Sequence, residues 1–271
     1  MELKTIWAVY YSATGTTAKM VRTVAEALAE RLNLPLEERS FTRPGERAEV
    51  LRFSKEDLVV VGSPTYAGRL PNKILPDFQE KLRGNGALAV PIVLFGNRSY
   101  DNSLAELRSV LEADGFCPMA AGAFVGRHAF TDELAFGRPG WSDLSEAKDF
   151  AGRIAEKVRA GAAGPVRVPG DPTAPYYVPK GVDGEPVKFL RAKPKTDFAR
   201  CSRCGACARA CPMGAIDPQN VAEVPGTCIK CQSCVRKCTR GAKYFDDPAF
   251  LSHVAMLERD FREPKENQVF L

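Results

Sequence analysis

No purely apolar run in the chain exceeds the nine residues Ala87 to Phe95. A membrane helix needs about 20 such residues, so no span is expected. The opening, M-E-L-K-T-I-W-A-V-Y-Y, has no basic stretch leading into an apolar core and a cleavage site. It reads as a first strand, and the expected location is cytoplasmic. There is no G-x-G-x-x-G fingerprint for a dinucleotide and no Walker loop with its Lys and second Gly. No Ser/His/Asp set and no paired-carboxylate site can be assembled, so no catalytic residue is assigned. Cysteine is nearly missing from most of the chain: eight of nine lie between Cys201 and Cys238. Only Cys117 lies outside, and it reads as an inert small residue near a strand start.

What is present is ordinary for a folded protein: 45% hydrophobic and 26% charged residues over 271 positions. At about 150 residues per domain this suggests two domains or one large one. The charge is uneven. Residues 1–160 hold 21 basic and 21 acidic side chains, whereas residues 161–271 hold 17 and 12.

Residues 1–160 alternate strand and helix signals. Apolar runs at Thr5–Tyr11, 58–61, 87–95 and 120–125 predict strands, with a weaker one near 35–40. Helical spacing appears at 17–32, 104–111 and 141–159. Continuous apolar strands separated by helices predict a doubly wound, five-stranded parallel α/β sheet covered on both faces. Residues 161–194 are rich in proline, have no amphipathic period and read as a linker that Tyr176 and Tyr177 dock locally. Residues 195–246 form a small α+β unit, and 247–271 a helix followed by a polar tail.

The cysteines form an internal repeat. Residues 201–216 read C-S-R-C-G-A-C-A-R-A-C-P-M-G-A-I, and 228–242 read C-I-K-C-Q-S-C-V-R-K-C-T-R-G-A. Each copy is C-x2-C-x2-C-x3-C, offset by 27 positions. Three closely spaced thiolates can cap three irons of a cubane, while the fourth iron needs a ligand from another direction. In the bacterial two-cluster pattern, the fourth Cys of each run serves the other cluster. One 4Fe–4S cluster is therefore assigned to Cys201, Cys204, Cys207 and Cys238, the other to Cys211, Cys228, Cys231 and Cys234. Zinc, the competing metal, usually takes two C-x2-C arms across a longer loop, which these runs do not form. Pro212 completes the pattern of the first run; Thr239 replaces it in the second. The segment resembles the bacterial two-cluster ferredoxins. Its basic residues, among them Lys230, Arg236, Lys237, Arg240 and Lys243, are read as balancing cluster charge or facing an acidic redox partner, not as a nucleic-acid site.

After the first strand comes Ser12-Ala13-Thr14-Gly15-Thr16-Thr17, opening a helix. Small hydroxyl residues around a Gly at a helix N-terminus can cradle a phosphate on backbone N–H groups. The S-x-T-G-x-T pattern resembles the flavodoxin phosphate loop at Ser12, Thr14, Gly15 and Thr17. Two later loops follow strand ends, where open α/β sheets bind ligands: Gly62-Ser63-Pro64-Thr65-Tyr66-Ala67-Gly68 and Gly96-Asn97-Arg98-Ser99-Tyr100-Asp101. The resemblance implies bound FMN, held by Ser12, Thr14, Gly15, Thr16 and Thr17 at the phosphate. Pro64, Thr65, Tyr66, Gly96, Asn97, Arg98, Tyr100 and Asp101 would lie around the flavin, Tyr66 or Tyr100 stacking on its ring. Many flavodoxins carry Trp where this chain has Tyr66.

Both halves together resemble the flavodoxin–ferredoxin fusions called EFR-type ferredoxins. The resemblance implies an electron-transfer protein relaying electrons between two 4Fe–4S clusters and FMN, served by redox protein partners. The competing class is an iron–sulfur flavoprotein reductase of a quinone or other small acceptor. A homodimer is left open. Function places the iron–sulfur unit at the sheet's C-terminal edge, with one cluster nearest 65–70 or 97–101. Of the two histidines, His128 follows a strand and is expected to be a satisfied loop residue, and His253 to face solvent.

Overall fold

The computed structural model describes residues 2–162 and 164–271. The first part runs β1 (Thr5–Tyr10), α1 (Thr16–Leu32), β2 (Leu36–Ser40), β3 (Leu51–Arg52), β4 (Asp57–Pro64), α2 (Leu75–Lys81), β5 (Leu82–Arg83), β6 (Leu88–Phe95), α3 (Ser103–Ala113), β7 (Cys117–Pro118), β8 (Ala121–Val125) and α4 (Trp141–Arg159). The second runs β9 (Lys195–Thr196), α5 (Ala206–Arg209), α6 (Ser233–Arg236), β10 (Lys243–Tyr244), α7 (Pro248–Asp260) and β11 (Gln268–Phe270).

The main sheet has the order β11-β8-β6-β4-β1-β2, with short β7 beside β6. From β2 to β8 every pairing is parallel. This is the doubly wound flavodoxin-like order, in which the chain leaves β1 to one side and returns to the other. Strand alternation sorts the core into two layers. Val9, Val59, Val61 and Val93 face one way and pack on Phe78, Leu104 and Leu107 of α2 and α3. Ala8, Tyr10, Val60 and Ile92 face the other way and pack on Met20, Val24 and Leu28 of α1 and on Phe150 and Ile154 of α4. With both faces covered, β6 is buried along its whole length. No helix among the described residues is long and apolar enough to cross a membrane.

The five expected parallel strands are β2, β1, β4, β6 and β8, and the tail adds an antiparallel edge to them. Residues 268–270 form β11, which pairs antiparallel with β8 through Gln268↔Ala123, Val269↔Gly122 and Phe270↔Ala121. Three residues cannot announce a strand by periodicity. Their pairing is decided by the open edge of β8, whose backbone groups need partners.

In the cysteine-rich part the backbone repeats with the sequence. Arg203 and Lys230 both have φ near +56°, and Gly214 and Gly241 share φ +58°. Helices α5 and α6 start from left-handed Gly205 (φ +71°) and Gln232 (φ +63°). Two copies of one turn sequence thus fold alike, and β9 pairs antiparallel with β10 across them.

Candidate functional site

At the end of β1, Gly15 caps α1 with φ +100°, a conformation open to glycine and strained for side chains. A Cβ there would meet nothing within 4 Å, so it would project into open space above the helix end. Ser12 braces the turn: its backbone N–H donates to Thr42 Oγ1 (2.9 Å), and its hydroxyl accepts from the Ala18 N–H (3.0 Å). The first helical turn is therefore held by side chains, and its N-terminal N–H groups converge where a helix presents partial positive charge. Thr16 and Thr17 begin the helix, and Thr17 is buried. Thr42, which sequence reading missed, joins this turn only through tertiary contact. The cradle fits a phosphate monoester.

The other two loops behave differently. Thr65 Oγ1 meets Ser103 Oγ at 2.7 Å, after Pro64 ends β4. Tyr66 and Arg69 close a tight turn over left-handed Ala67 and Gly68. That turn carries the proline-rich segment: the Tyr177 N–H donates to the Ala67 carbonyl (2.8 Å), and the Tyr176 hydroxyl to the Leu70 carbonyl (2.8 Å). Arg69 reaches the Pro172 carbonyl (2.8 Å) and pairs with buried Glu106. Residues 166–177 therefore lie along the sheet body.

The Gly96–Asp101 loop is turned away from a stacking role. Tyr100 is 8% exposed, its ring lies 5.5 Å from Phe95, and its hydroxyl donates to Gln268 Oε1 (2.6 Å). A ring so enclosed offers no face to a flavin. Buried Asn97 donates to the Phe261 and Glu263 carbonyls (2.6 and 3.0 Å) and accepts from the Lys265 N–H (3.1 Å). Arg98 stacks on Tyr177 (4.1 Å) and pairs with Asp101. Gly96 closes on His128, whose ring stands 2.4 Å from where its Cβ would be. These side chains anchor the linker and the tail, a competition invisible in the local sequence.

One cavity is lined by Cys211, Cys228, Cys231 and Cys234 together with Pro212, Met213, Ile229 and Phe245. Burial pushes the Cys228, Cys231 and Cys234 thiols up, Cys234 to about 12. A metal centre bound there would hold these sulfurs as thiolates, and its binding would release their protons. In the other set burial pushes the Cys207 thiol up as well, while Cys204 and Cys238 go the other way. Cys204 is exposed, and N–H donation from Ala206, with Ser202 and Arg209 nearby, pulls its thiol down. Burial pushes Cys238 up, but backbone donors at Ala242, Lys243 and Arg240 outweigh it and leave it lowered; the Ala242 N–H lies 3.2 Å from its sulfur.

The cysteine-rich part meets the sheet body at its C-terminal edge. Cys231 lies in the same buried cluster as Tyr11 and Phe41, with Tyr66, Met213 and Ile229 packed against it. Buried Arg47 donates to the Pro212 carbonyl (2.9 Å) and pairs with Asp77 (2.8 Å). The Tyr11 hydroxyl is buried with no partner among the described residues. Arg236, expected to balance a cluster, instead grips the 128–132 loop: it donates to the Ala129, His128 and Thr131 carbonyls (3.1–3.2 Å) and pairs with Asp132. Lys230 and Lys243 donate to backbone carbonyls of Leu190 and Val221. Arg47 and Arg236 carry no motif, so only the fold reveals them.

Arg236→Met keeps the stem and removes the charge-assisted bonds, which are worth about 1.5–3 kcal/mol when donor or acceptor is charged. The expected result is a lower melting temperature and faster hydrogen exchange at 128–132 and 233–238, with the iron content per chain unchanged. Unchanged exchange at 128–132 would mean that the clamp contributes nothing.

Both histidines are enclosed here, which corrects the solvent-facing expectation for His253. It is 5% exposed, with Nδ1 2.9 Å from the Lys180 carbonyl and its ring stacked on Phe189 (5.4 Å). His128 accepts the Phe130 N–H at Nδ1 (3.2 Å). Burial, then His253, Arg236 and Arg98, lower its pKa from 6.5 to about 4. The unfolded chain therefore binds a proton at a pH where the folded one does not. Stability is full above about 6.5 and falls as pH drops towards about 4, by roughly 1–3 kcal/mol for this residue. Thermal melts across that window should show the loss, and His128→Gln should reduce it, leaving the part due to buried His253, whose pKa burial also lowers. Cys117, expected to be inert, is exposed on β7.

Among protein families, the 4Fe-4S binding domain matches residues 194–217, which hold the first cysteine run. No curated protein matches the chain. Among solved structures, it is similar to a flavodoxin from the domain Archaea (19% identity, TM-score 0.42, covering 58% of this chain and 99% of that one). A short-chain flavodoxin associated with a non-canonical PDU bacterial microcompartment is similar too (16%, TM-score 0.39, 58% and 99%). So is a mutant Fusobacterium nucleatum flavodoxin bound to flavin mononucleotide (14%, TM-score 0.37, 58% and 98%). The 4Fe-4S match gives residues 194–217 an iron–sulfur identity, and the strand order makes the sheet flavodoxin-like.

Proposed function

We propose that this chain is an electron-transfer protein of the EFR type, relaying electrons between two 4Fe–4S clusters and FMN. The clusters supply one-electron steps, and the flavin accepts one electron or two. The observation that carries the reading is the junction. The cavity lined by Cys211, Cys228, Cys231 and Cys234 opens from the module that shares a buried cluster with Tyr11 and Tyr66, at the sheet edge where the phosphate cradle lies.

In this reading the chain's residues divide the work. Ser12, Thr14, Gly15, Thr16 and Thr17 hold the phosphate, and the helix end supplies the positive field. Thr65 and Tyr66 border the flavin on the cluster side. Cys211, Cys228, Cys231 and Cys234 hold the inner cluster, and Cys201, Cys204, Cys207 and Cys238 the outer one. Arg47 and Arg236 fix the module against the sheet body, so the inner cluster keeps one distance from the flavin. Residues 161–194 act as a strap, and the module at 195–246 is a separate unit docked by it.

The test is an anaerobically prepared protein with iron, sulfide and flavin quantified, followed by stepwise reduction. About eight irons and one FMN per chain are expected. Flavin bleaching should follow cluster reduction at a rate independent of protein concentration. Four irons, no flavin, or a concentration-dependent rate would overturn the relay.

A further inference from the structure

Of the inner cysteine set, Cys231 packs in the buried cluster of the sheet body, whereas Cys204 of the outer set is exposed. Five exposed basic residues, Arg200, Arg203, Arg209, Lys237 and Arg240, flank the cysteines of the outer set in the sequence. Arg209 folds over Gly205, with its guanidinium 2.8 Å from where a Cβ would be; Arg200 lies equally close over Gly241. Arg203 sits between Cys201 and Cys204, and Lys237 and Arg240 flank Cys238. None of the five has a carboxylate partner among the described residues, although other exposed arginines and lysines of this chain do. The acidic side chain nearest in sequence, Asp197, is occupied with the Ala199 N–H (2.9 Å). Phe198, two positions before Arg200 in the sequence, is 62% exposed and offers an apolar side chain to a partner.

Five unpaired cations exceed what the outer cluster needs, since four thiolates on an oxidised cubane carry a net charge of roughly −2. Like charges crowded without partners repel, and a complementary anionic surface relieves that repulsion. We infer that Arg200, Arg203, Arg209, Lys237 and Arg240 form one rim at the outer cysteines, the docking surface for an acidic electron-carrier protein, which exchanges single electrons with the outer cluster. This rests on the relay reading for its purpose, but the surface itself is tested by binding.

The probe is an oxidised, acidic plant-type 2Fe–2S ferredoxin, titrated onto the intact protein by calorimetry at several ionic strengths. Binding should weaken steeply with salt, because rim charges are screened beyond a Debye length of about 10 Å at 0.1 M. Arg203→Glu with Lys237→Glu should weaken it on the order of tenfold or more at low salt. Lys148→Glu, an exposed charge reversal on α4, should leave it unchanged. Reduction by methyl viologen radical cation, which needs no anionic docking, should not slow in the doubly reversed protein. If the Glu pair lowers cluster content, Arg203→Gln with Lys237→Gln decides the matter by the same titration. Equal loss with Lys148→Glu, or no loss with either rim pair, overturns the proposal. So does a poly(dT) oligonucleotide that binds as tightly as the ferredoxin and is lost with the same pair. A preparation without flavin would end the relay reading and leave this binding result standing.

Discussion

Serine at Cys211 should abolish the cluster whose other ligands lie in the second cysteine run, and spare the one in its own run. The reason is spatial. Cys211 lines the cavity of Cys228, Cys231 and Cys234, 17 or more positions later in the chain. That cavity is buried, so loss of one thiolate leaves an iron without an anionic ligand in a site water cannot repair. Cys238→Ser should do the reverse, damaging the cluster of Cys201, Cys204 and Cys207. There the effect should be milder, because exposed Cys204 marks a site that solvent can reach. EPR of the two reduced variants separates the sets. Loss of the cluster in the same run as the substituted residue, in both proteins, would show that the ligands do not cross. The Cys211 variant should also lose several degrees of melting temperature, since its cavity adjoins the interface with the sheet body.

Valine at Gly15 should remove the flavin altogether while both clusters remain. At φ +100° a β-branched residue carries backbone strain of about 1–3 kcal/mol, and its methyl groups enter the open space above the helix end. The phosphate then loses the close approach to backbone N–H groups that the cradle provides. A loss of flavin affinity of at least a hundredfold is expected by analogy with phosphate contacts made by several charge-assisted bonds. Gly15→Ala should lie between the two. Cluster absorbance serves as the folding control, because the cysteine-rich part makes no contact through Gly15. Stoichiometric FMN in the valine variant would mean that the flavin lies elsewhere.

Two features of this protein were legible from sequence alone, for the same physical reason. The doubly wound sheet was visible because strands buried on both faces must be apolar at every position, as 88–95 is. The cubane motif was visible because metal geometry ties ligands to fixed local spacings. In the structure the repeat returns in the backbone, with matching left-handed residues at Arg203 and Lys230. The phosphate cradle was legible as far as its loop, since a Gly with positive φ at a helix start leaves a mark in sequence.

Tertiary structure decided the rest, because the deciding contacts join residues far apart in the chain. Tyr100 and Asn97 looked like flavin contacts, but Gln268 and residues 261–265 claimed them. Arg236 looked like charge balance for a cluster and became a clamp on 128–132, since the carbonyls it serves come from another part of the molecule. His253 lost its solvent to Phe189 and the Lys180 carbonyl, both from the linker. The tail became a strand because β8 offered an open edge. Local periodicity and ligand spacing are properties of neighbouring residues, and the sequence carries them. Which face meets which, and so which cysteines lie inward, follows from burial and hydrogen-bond satisfaction summed over the whole chain.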